Sequence, residues 1–201
     1  MKRWLLAAAL LAIPAAARGQ TEPGNLEWGL FLGEEFLSND ARADDDAVVG
    51  LRVGWGLWKT LEVELVFDRV QTNAEPHASI EETVEALSGN LLWNFWTGSR
   101  ELTGAYLAGG VGQIDVSVDV PPPNPTDPMF PLPTRGWAGN LPPGSHDDSD
   151  TLLAAAAGLR TLLGERTALR YELRWKRYEA FDISSGDLQF TFGFAVYHRR
   201  R

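Results

Sequence analysis

His77 and Ser79 stand two residues apart, and Glu81, Glu82 and Glu85 follow closely in the stretch PHASIEETVE. A hydroxyl beside an imidazole that a carboxylate orients is the minimum of a nucleophilic triad. A working triad also needs donors for an oxyanion. No such donors can be named in this polar segment after Pro76, so the pair reads as part of a solvated loop. Cation binding is the second candidate chemistry. Asp40, Asp44, Asp45 and Asp46 in SNDARADDD, and Asp147, Asp148 and Asp150 in SHDDSD, are hard oxygen ligands of the type Ca²⁺ or Mg²⁺ prefers. Neither run has the ligand order and central glycine of an EF-hand loop, so both read as solubilising charge. There is no cysteine, which excludes disulfides, thiolate metal sites and covalent haem attachment. No cofactor or metal is expected.

The third set of reactive side chains is spread over regular alternations. In LRYELRWKRYE (residues 169–179), Leu169, Tyr171, Leu173 and Trp175 alternate with Arg170, Glu172, Arg174 and Lys176. Successive side chains of a strand point to opposite faces, so this is a strand with one apolar and one charged face. Arg52, Glu62, Glu64, Asp68 and Arg160 occupy the equivalent polar face of other stretches. Their signs nearly balance, as ion pairing in a confined interior requires.

Eight such stretches are expected to position these groups, at residues 28–37, 47–57, 60–70, 84–96, 102–118, 150–162, 167–178 and 186–197. The sixth, DTLLAAAAGLRTLLGE, is rich in alanine and would also suit a helix. Gly158 and Arg160 match the glycine-and-arginine face of the second stretch and favour a strand. Tight turns are expected near Trp58–Lys59, TGSRE and LGER. Longer polar connections are expected at 38–46, 71–83, 119–149 and 180–185. The 119–149 segment is proline-rich, and its prolines cannot donate to a ladder. Short turns at one end and long loops at the other are the asymmetry of a transmembrane barrel.

Alternation alone does not say which face is hidden. A soluble ligand-binding barrel of the periplasm would turn its Leu173 and Phe192 faces inward. The aromatics argue for lipid instead. Trp28, Trp55, Trp58, Trp93, Trp96, Tyr106, Phe194 and Tyr197 fall near the short-turn end, and Phe36, Phe67, Trp175, Tyr178 and Phe181 near the other. Two aromatic bands match girdles at two lipid–water interfaces. The expected girdle residues are therefore Trp28, Trp55, Trp58, Trp93, Trp96, Trp175 and Tyr178.

The 201 residues open with MKRWLLAAALLAIPAAARGQ, whose basic start, short apolar run and small residues predict a secretory signal over residues 1–19. A short lead (20–26), a barrel (27–198) and a basic tail (199–201) complete the expected organisation. The net charge of −9 leaves no electrostatic footprint for nucleic acid.

VVGLRVGWGLWKTLEVEL, NLLWNFWTGSRELTGAYLAGGVG and AAGLRTLLGERTALRYELRW together resemble the small eight-stranded outer-membrane barrels of the OmpA and OmpX type, over residues 26–198. The resemblance implies an all-β, up-and-down antiparallel transmembrane barrel in a Gram-negative-type outer membrane. It implies outer-membrane lipid and lipopolysaccharide as surroundings, and the barrel-assembly machinery as a partner during insertion. Members often end on an aromatic residue; here FTFGFAVYHRRR resembles that signal but runs four residues past Tyr197. The peptidoglycan-binding domain of longer OmpA-type proteins has no counterpart in these residues, so no cell-wall tether is expected. The expected function is non-enzymatic. A charge-filled, plugged lumen would serve as a scaffold for surface interaction with an extracellular partner, and the 119–149 loop with Phe130 and Trp137 would be its contact segment. The alternative is a lipid A-modifying enzyme using His77 and Ser79, since a small barrel deacylase carries a loosely similar His-x-Ser.

Overall fold

Alternating β-branched, aromatic and polar residues fit a pleated, half-buried surface, and all eight stretches form strands. The strands are β1 (Leu26–Phe36), β2 (Asp46–Gly56), β3 (Leu61–Asn73), β4 (Glu81–Thr97), β5 (Thr103–Val120), β6 (Gly144–Leu162), β7 (Thr167–Ala180) and β8 (Ile183–His198). The computed structural model describes residues 23–37, 45–73, 80–97, 103–122 and 137–198. Every strand pairs antiparallel with its sequence neighbours, and β8 closes on β1. The alanine-rich sixth stretch is a strand, because its small side chains pack on both neighbours of a closed sheet.

A hydrogen-bonded row followed from Leu26 runs through Trp55, Val63, Leu91, Gly109, Ala155, Trp175 and Leu188. It returns to β1 at Phe36, ten residues further on. This stagger tilts the strands, and eight strands enclose an interior just wide enough for side chains.

The strands run further toward the loop end than the sequence predicts. The expected 119–149 loop is shorter, because β5 continues to Val120 and β6 begins at Gly144, paired with it. SHDDSD is therefore strand rather than loop. The 180–185 connection is a two-residue turn: Ala180 pairs with Ile183, and Phe181 and Asp182 take positive φ values of 49° and 62°. Positive φ at both central residues gives a turn whose twist matches the flanking strands. Asp148 Oδ2 accepts the Phe181 N–H, and Asp150 Oδ2 accepts the Glu179 N–H at 2.9 Å. The β6–β7 ladder stops at Leu153 opposite Arg177, so these carboxylates take over backbone donors that the ladder no longer reaches.

Inside, the barrel has two layers. The loop-end half carries an apolar core of inward residues, including Val66, Val70, Val84, Ile114, Val116 and Leu152, with Glu82 and Asp187 also buried at that end. The sequence reading expected charge throughout. A 3-10 turn, Trp137–Asn140, lies over this core, with Trp137 1% exposed and its ring 6.2 Å from that of Tyr178. Trp137 is therefore a buried residue and not a contact residue, which corrects the expectation for that loop. Phe130 lies outside the described residues.

Candidate functional site

The arginines and their carboxylates gather in the turn-end half of the lumen, and the Lys176 group lies above them. Arg52, Glu62, Glu64, Asp68, Arg160, Arg170, Glu172, Arg174 and Lys176 all point inward and are buried. β7 supplies four of them at every second position, because strand side chains repeat with period two.

Arg170 is the hub. Its Nη1 donates to Glu27 Oε1 at 2.9 Å and to Glu64 Oε1, and its Nη2 donates to Tyr106 Oη at 3.0 Å and Glu172 Oε2 at 3.3 Å. Arg160 Nη2 lies 2.9 Å from Glu27 Oε2 and 3.0 Å from Glu62 Oε2. Arg52 Nη1 reaches Glu172 Oε2 at 3.1 Å, and Arg174 Nη2 reaches Glu172 Oε1 at 2.9 Å. Four arginines thus face Glu27, Glu62, Glu64 and Glu172. The Tyr106 hydroxyl donates to Glu172, and the Arg170 guanidinium lies 4.8 Å over the Tyr106 ring. One layer up, Lys176 Nζ bridges Glu35 Oε1 at 2.7 Å and Asp68 Oδ1 at 2.6 Å, while Gln189 Nε2 donates to Glu35 at 3.1 Å. Burying a charge is expensive unless it is paired and hydrogen-bonded, and this arrangement meets that condition.

Carboxylate oxygens of Glu27, Glu62 and Glu64 lie within 4.8 Å of one another, a spacing that could hold a metal ion. Arg160 and Arg170 already pair with all three, so guanidinium groups supply the positive charge there.

Sequence reading missed Glu27, Glu35 and Tyr106. Glu27 and Glu35 share a face with Gly29 and Gly33, opposite Trp28, Leu30 and Leu32, so parity could have found them. The sequence places Tyr106 and Tyr197 in the aromatic band near the short-turn end. Both point inward, and Arg160 lies 5.8 Å from the Tyr197 ring. Both faces of β5 are apolar at this level, so alternation carries no contrast there. Tyr178, expected in the girdle, also points inward; its hydroxyl donates to Asp187 Oδ2. It shares the parity of Arg174 and Lys176, and that decides its face.

Glycines on the inner face make room for these side chains. Gly158 is the cross-strand partner of Tyr106, and a Cβ there would collide with the tyrosine ring. Gly50 does the same for Phe31. Gly158→Ala should therefore displace Tyr106 from Arg170 and Glu172 and lower stability by about 1–3 kcal/mol, the usual range for overpacking. Equilibrium unfolding in urea checks this. Gly109→Ala, where an added Cβ meets nothing within 4 Å, is the matched control and should change nothing.

His77 and Ser79 lie outside the described residues. Of the carboxylates named with them, Glu82 points inward and is buried, while Glu81 and Glu85 lie on the outward face, where Glu85 pairs with Arg69 at 3.0 Å. Of the acidic runs, Asp40 and Asp44 lie outside the described residues. Asp45 Oδ1 accepts the Leu37 N–H at 3.2 Å, and Asp46 Oδ1 accepts the Ala47 N–H at 2.6 Å.

The outer face is apolar. Trp28, Trp55, Trp58 and Trp93 are exposed near the turn end, Trp175 is exposed toward the loop end, and Leu30, Leu51, Leu65 and Val111 are exposed between. Trp96 lies in β4, and its side chain is outside the described residues. Leu173 and Phe192 face outward, opposite to what a soluble ligand-binding barrel requires.

An eight-stranded closed antiparallel barrel with charge inside and an aliphatic belt outside is the architecture of a transmembrane β-barrel. Residues 4–195 match the family described as outer membrane protein beta-barrel domain, and the chain belongs to that family. The fold is similar to that of Neisserial surface protein A (TM-score 0.60, 11% identity, covering 86% of this chain and 95% of that one). It is also similar to the N-terminal barrel domain of Pseudomonas aeruginosa OprF (TM-score 0.54, 14% identity, 88% and 98%). A third neighbour is Ail, the attachment invasion locus protein of Yersinia pestis (TM-score 0.52, 12% identity, 86% and 99%). No curated protein sequence matches the chain. The chain is an outer-membrane barrel.

Proposed function

We propose that this barrel is a non-conducting, non-enzymatic scaffold that holds a surface outside the outer membrane. The reading rests on the described lumen side chains, which pair with one another along the barrel. Arginine–carboxylate clusters occupy the turn-end half, the Lys176–Glu35–Asp68 group lies above them, and aliphatics pack beneath Trp137 toward the loop end. A side chain engaged on both sides does not step aside for an ion without leaving a buried charge unpaired. The lumen network comprises Arg52, Glu62, Glu64, Asp68, Arg160, Arg170, Glu172, Arg174 and Lys176, joined by Glu27 and Glu35.

Residues 1–19 direct export, and the barrel-assembly machinery inserts the folded sheet among lipid and lipopolysaccharide. The surface offered to an extracellular partner is the outward face of the β5–β6 extension. Asp115, Ser117, Asp119 and Asp147 stand there on paired strands, and a partner with a basic surface complements them.

Planar-bilayer recording tests the reading. The wild-type barrel is expected to give no steady current above leak. Sustained conductance on the scale of a general porin would overturn the scaffold proposal.

A further inference from the structure

The apolar belt is not smooth. A groove of about 600 Å³ crosses its outer face, within the range of small-ligand clefts. Gly89 and Gly109 form its floor, and Trp55, Leu65 and Val111 stand at its sides. All of these residues face outward. A Cβ on Gly109 would meet nothing within 4 Å, and one on Gly89 would come within 4 Å only of Leu65 Cδ2, at 3.8 Å, and Val111 O, at 4.0 Å.

The course of the groove follows from the register. Leu26, Trp55, Val63, Leu91 and Gly109 lie on one hydrogen-bonded row across β1 to β5. Four strand spacings of about 4.8 Å give a length of about 19 Å. Strands tilted by about 45° place a row across them at a similar angle to the membrane normal, so the groove covers about 14 Å of depth. That is about half of a hydrocarbon core of roughly 30 Å, or one leaflet. The row begins at the turn end, beside Trp55, and climbs toward the loop end, because it regains β1 at Phe36. The groove therefore runs from the turn-side interface to mid-membrane.

We infer that this groove is a binding site for one acyl chain of a phospholipid in the turn-side, periplasmic leaflet. It lies wholly within the surface that lipid already covers. A second copy of the barrel fits less well. A two-fold contact sets the same patch against itself, and two concave patches would enclose a void. A single flexible chain fills a concave strip without that mismatch.

The test uses the full chain folded into dioleoylphosphatidylcholine vesicles, extracted in mild detergent and weighed by native mass spectrometry. Wild type is expected to keep one phosphatidylcholine per barrel. Gly89→Leu/Gly109→Leu fills the groove and should weaken lipid binding by about tenfold, the effect of losing contact with roughly two methylenes of the chain, and so lower the lipid-bound fraction. Gly109→Leu alone, whose added Cβ meets nothing within 4 Å, should show the same trend. Ala157→Leu, an outward residue on β6 that does not line the groove, should retain lipid as wild type does. Wild type without bound lipid, or equal retention by the filled variants, would overturn the inference. So would a wild-type dimer that Gly89→Leu/Gly109→Leu converts to monomer.

Discussion

Arg170→Leu is expected to destabilise the barrel by about 3–5 kcal/mol, the range for removing one partner from a buried ion pair. Leucine keeps the aliphatic stem but lacks the guanidinium, so the loss combines unpaired buried charge with the void left over Tyr106. Glu27 and Glu64 each lose a guanidinium partner, and Tyr106 loses two donors. Glu172 keeps Arg52 and Arg174 and is the least affected. Equilibrium unfolding from vesicles in guanidinium, followed by tryptophan fluorescence, measures the change. Arg69→Leu is the comparison. Arg69 and Glu85 also pair at 3.0 Å, but their side chains are 45% and 39% exposed, and such a pair contributes about 0–1 kcal/mol. Equal losses from the two variants would mean that the lumen charges are solvated and the interior is not closed. Arg170→Leu combined with Glu64→Gln should recover part of the loss, because the second change removes a charge the first left unpaired.

Leu51→Arg tests the outer face and has the second largest expected effect. Leu51 is the middle residue of β2 and faces outward. An arginine facing lipid near the midplane of a barrel costs about 2–4 kcal/mol, and this cost falls off toward the interfaces. On a water-facing surface the same change would lie within about 0.5 kcal/mol. A loss in vesicles, with a smaller one for Val49→Arg nearer the loop end of the same strand, is the expected pattern. No loss at either position would remove the lipid assignment of this face. The two variants probe opposite faces of one sheet, and their effects should add, because the sites share no partner.

Both predictions rest on strand parity, which was legible in the sequence. LRYELRWKRYE already separates Arg170, Glu172, Arg174 and Lys176 from Leu169, Leu173 and Trp175, and period two places each set on one face. Parity fails where a strand is apolar on both faces. On β5, Tyr106 and Ile114 point inward while Leu107 and Val111 point outward, and hydropathy does not distinguish them. Tyr178 misled for a related reason: an aromatic near a membrane boundary suits a girdle, yet its place in the alternation turns it toward Asp187.

Strand ends were also less legible than strand centres. Backbone pairing continues wherever two chains stay adjacent, whether lipid or water surrounds them. GSHDDSD therefore pairs with the end of β5 although its composition is that of a loop. The turn at Phe181–Asp182 has no glycine to announce it, and carboxylates from a neighbouring strand hold it.

The amino-acid sequence by itself determined the number of strands, their two-faced character and the residues available for ion pairing, because these depend only on local periodicity. The tertiary structure alone decided who pairs with whom. Arg170 meets Glu27 and Glu64, at sequence separations of 143 and 106, because β8 closes on β1 with a ten-residue stagger that sets the height of every side chain in the lumen. It likewise decided that Trp137 is buried and that Gly89 and Gly109 lie in one groove. Each is a contact between residues distant in sequence, and closure of the sheet brings them together.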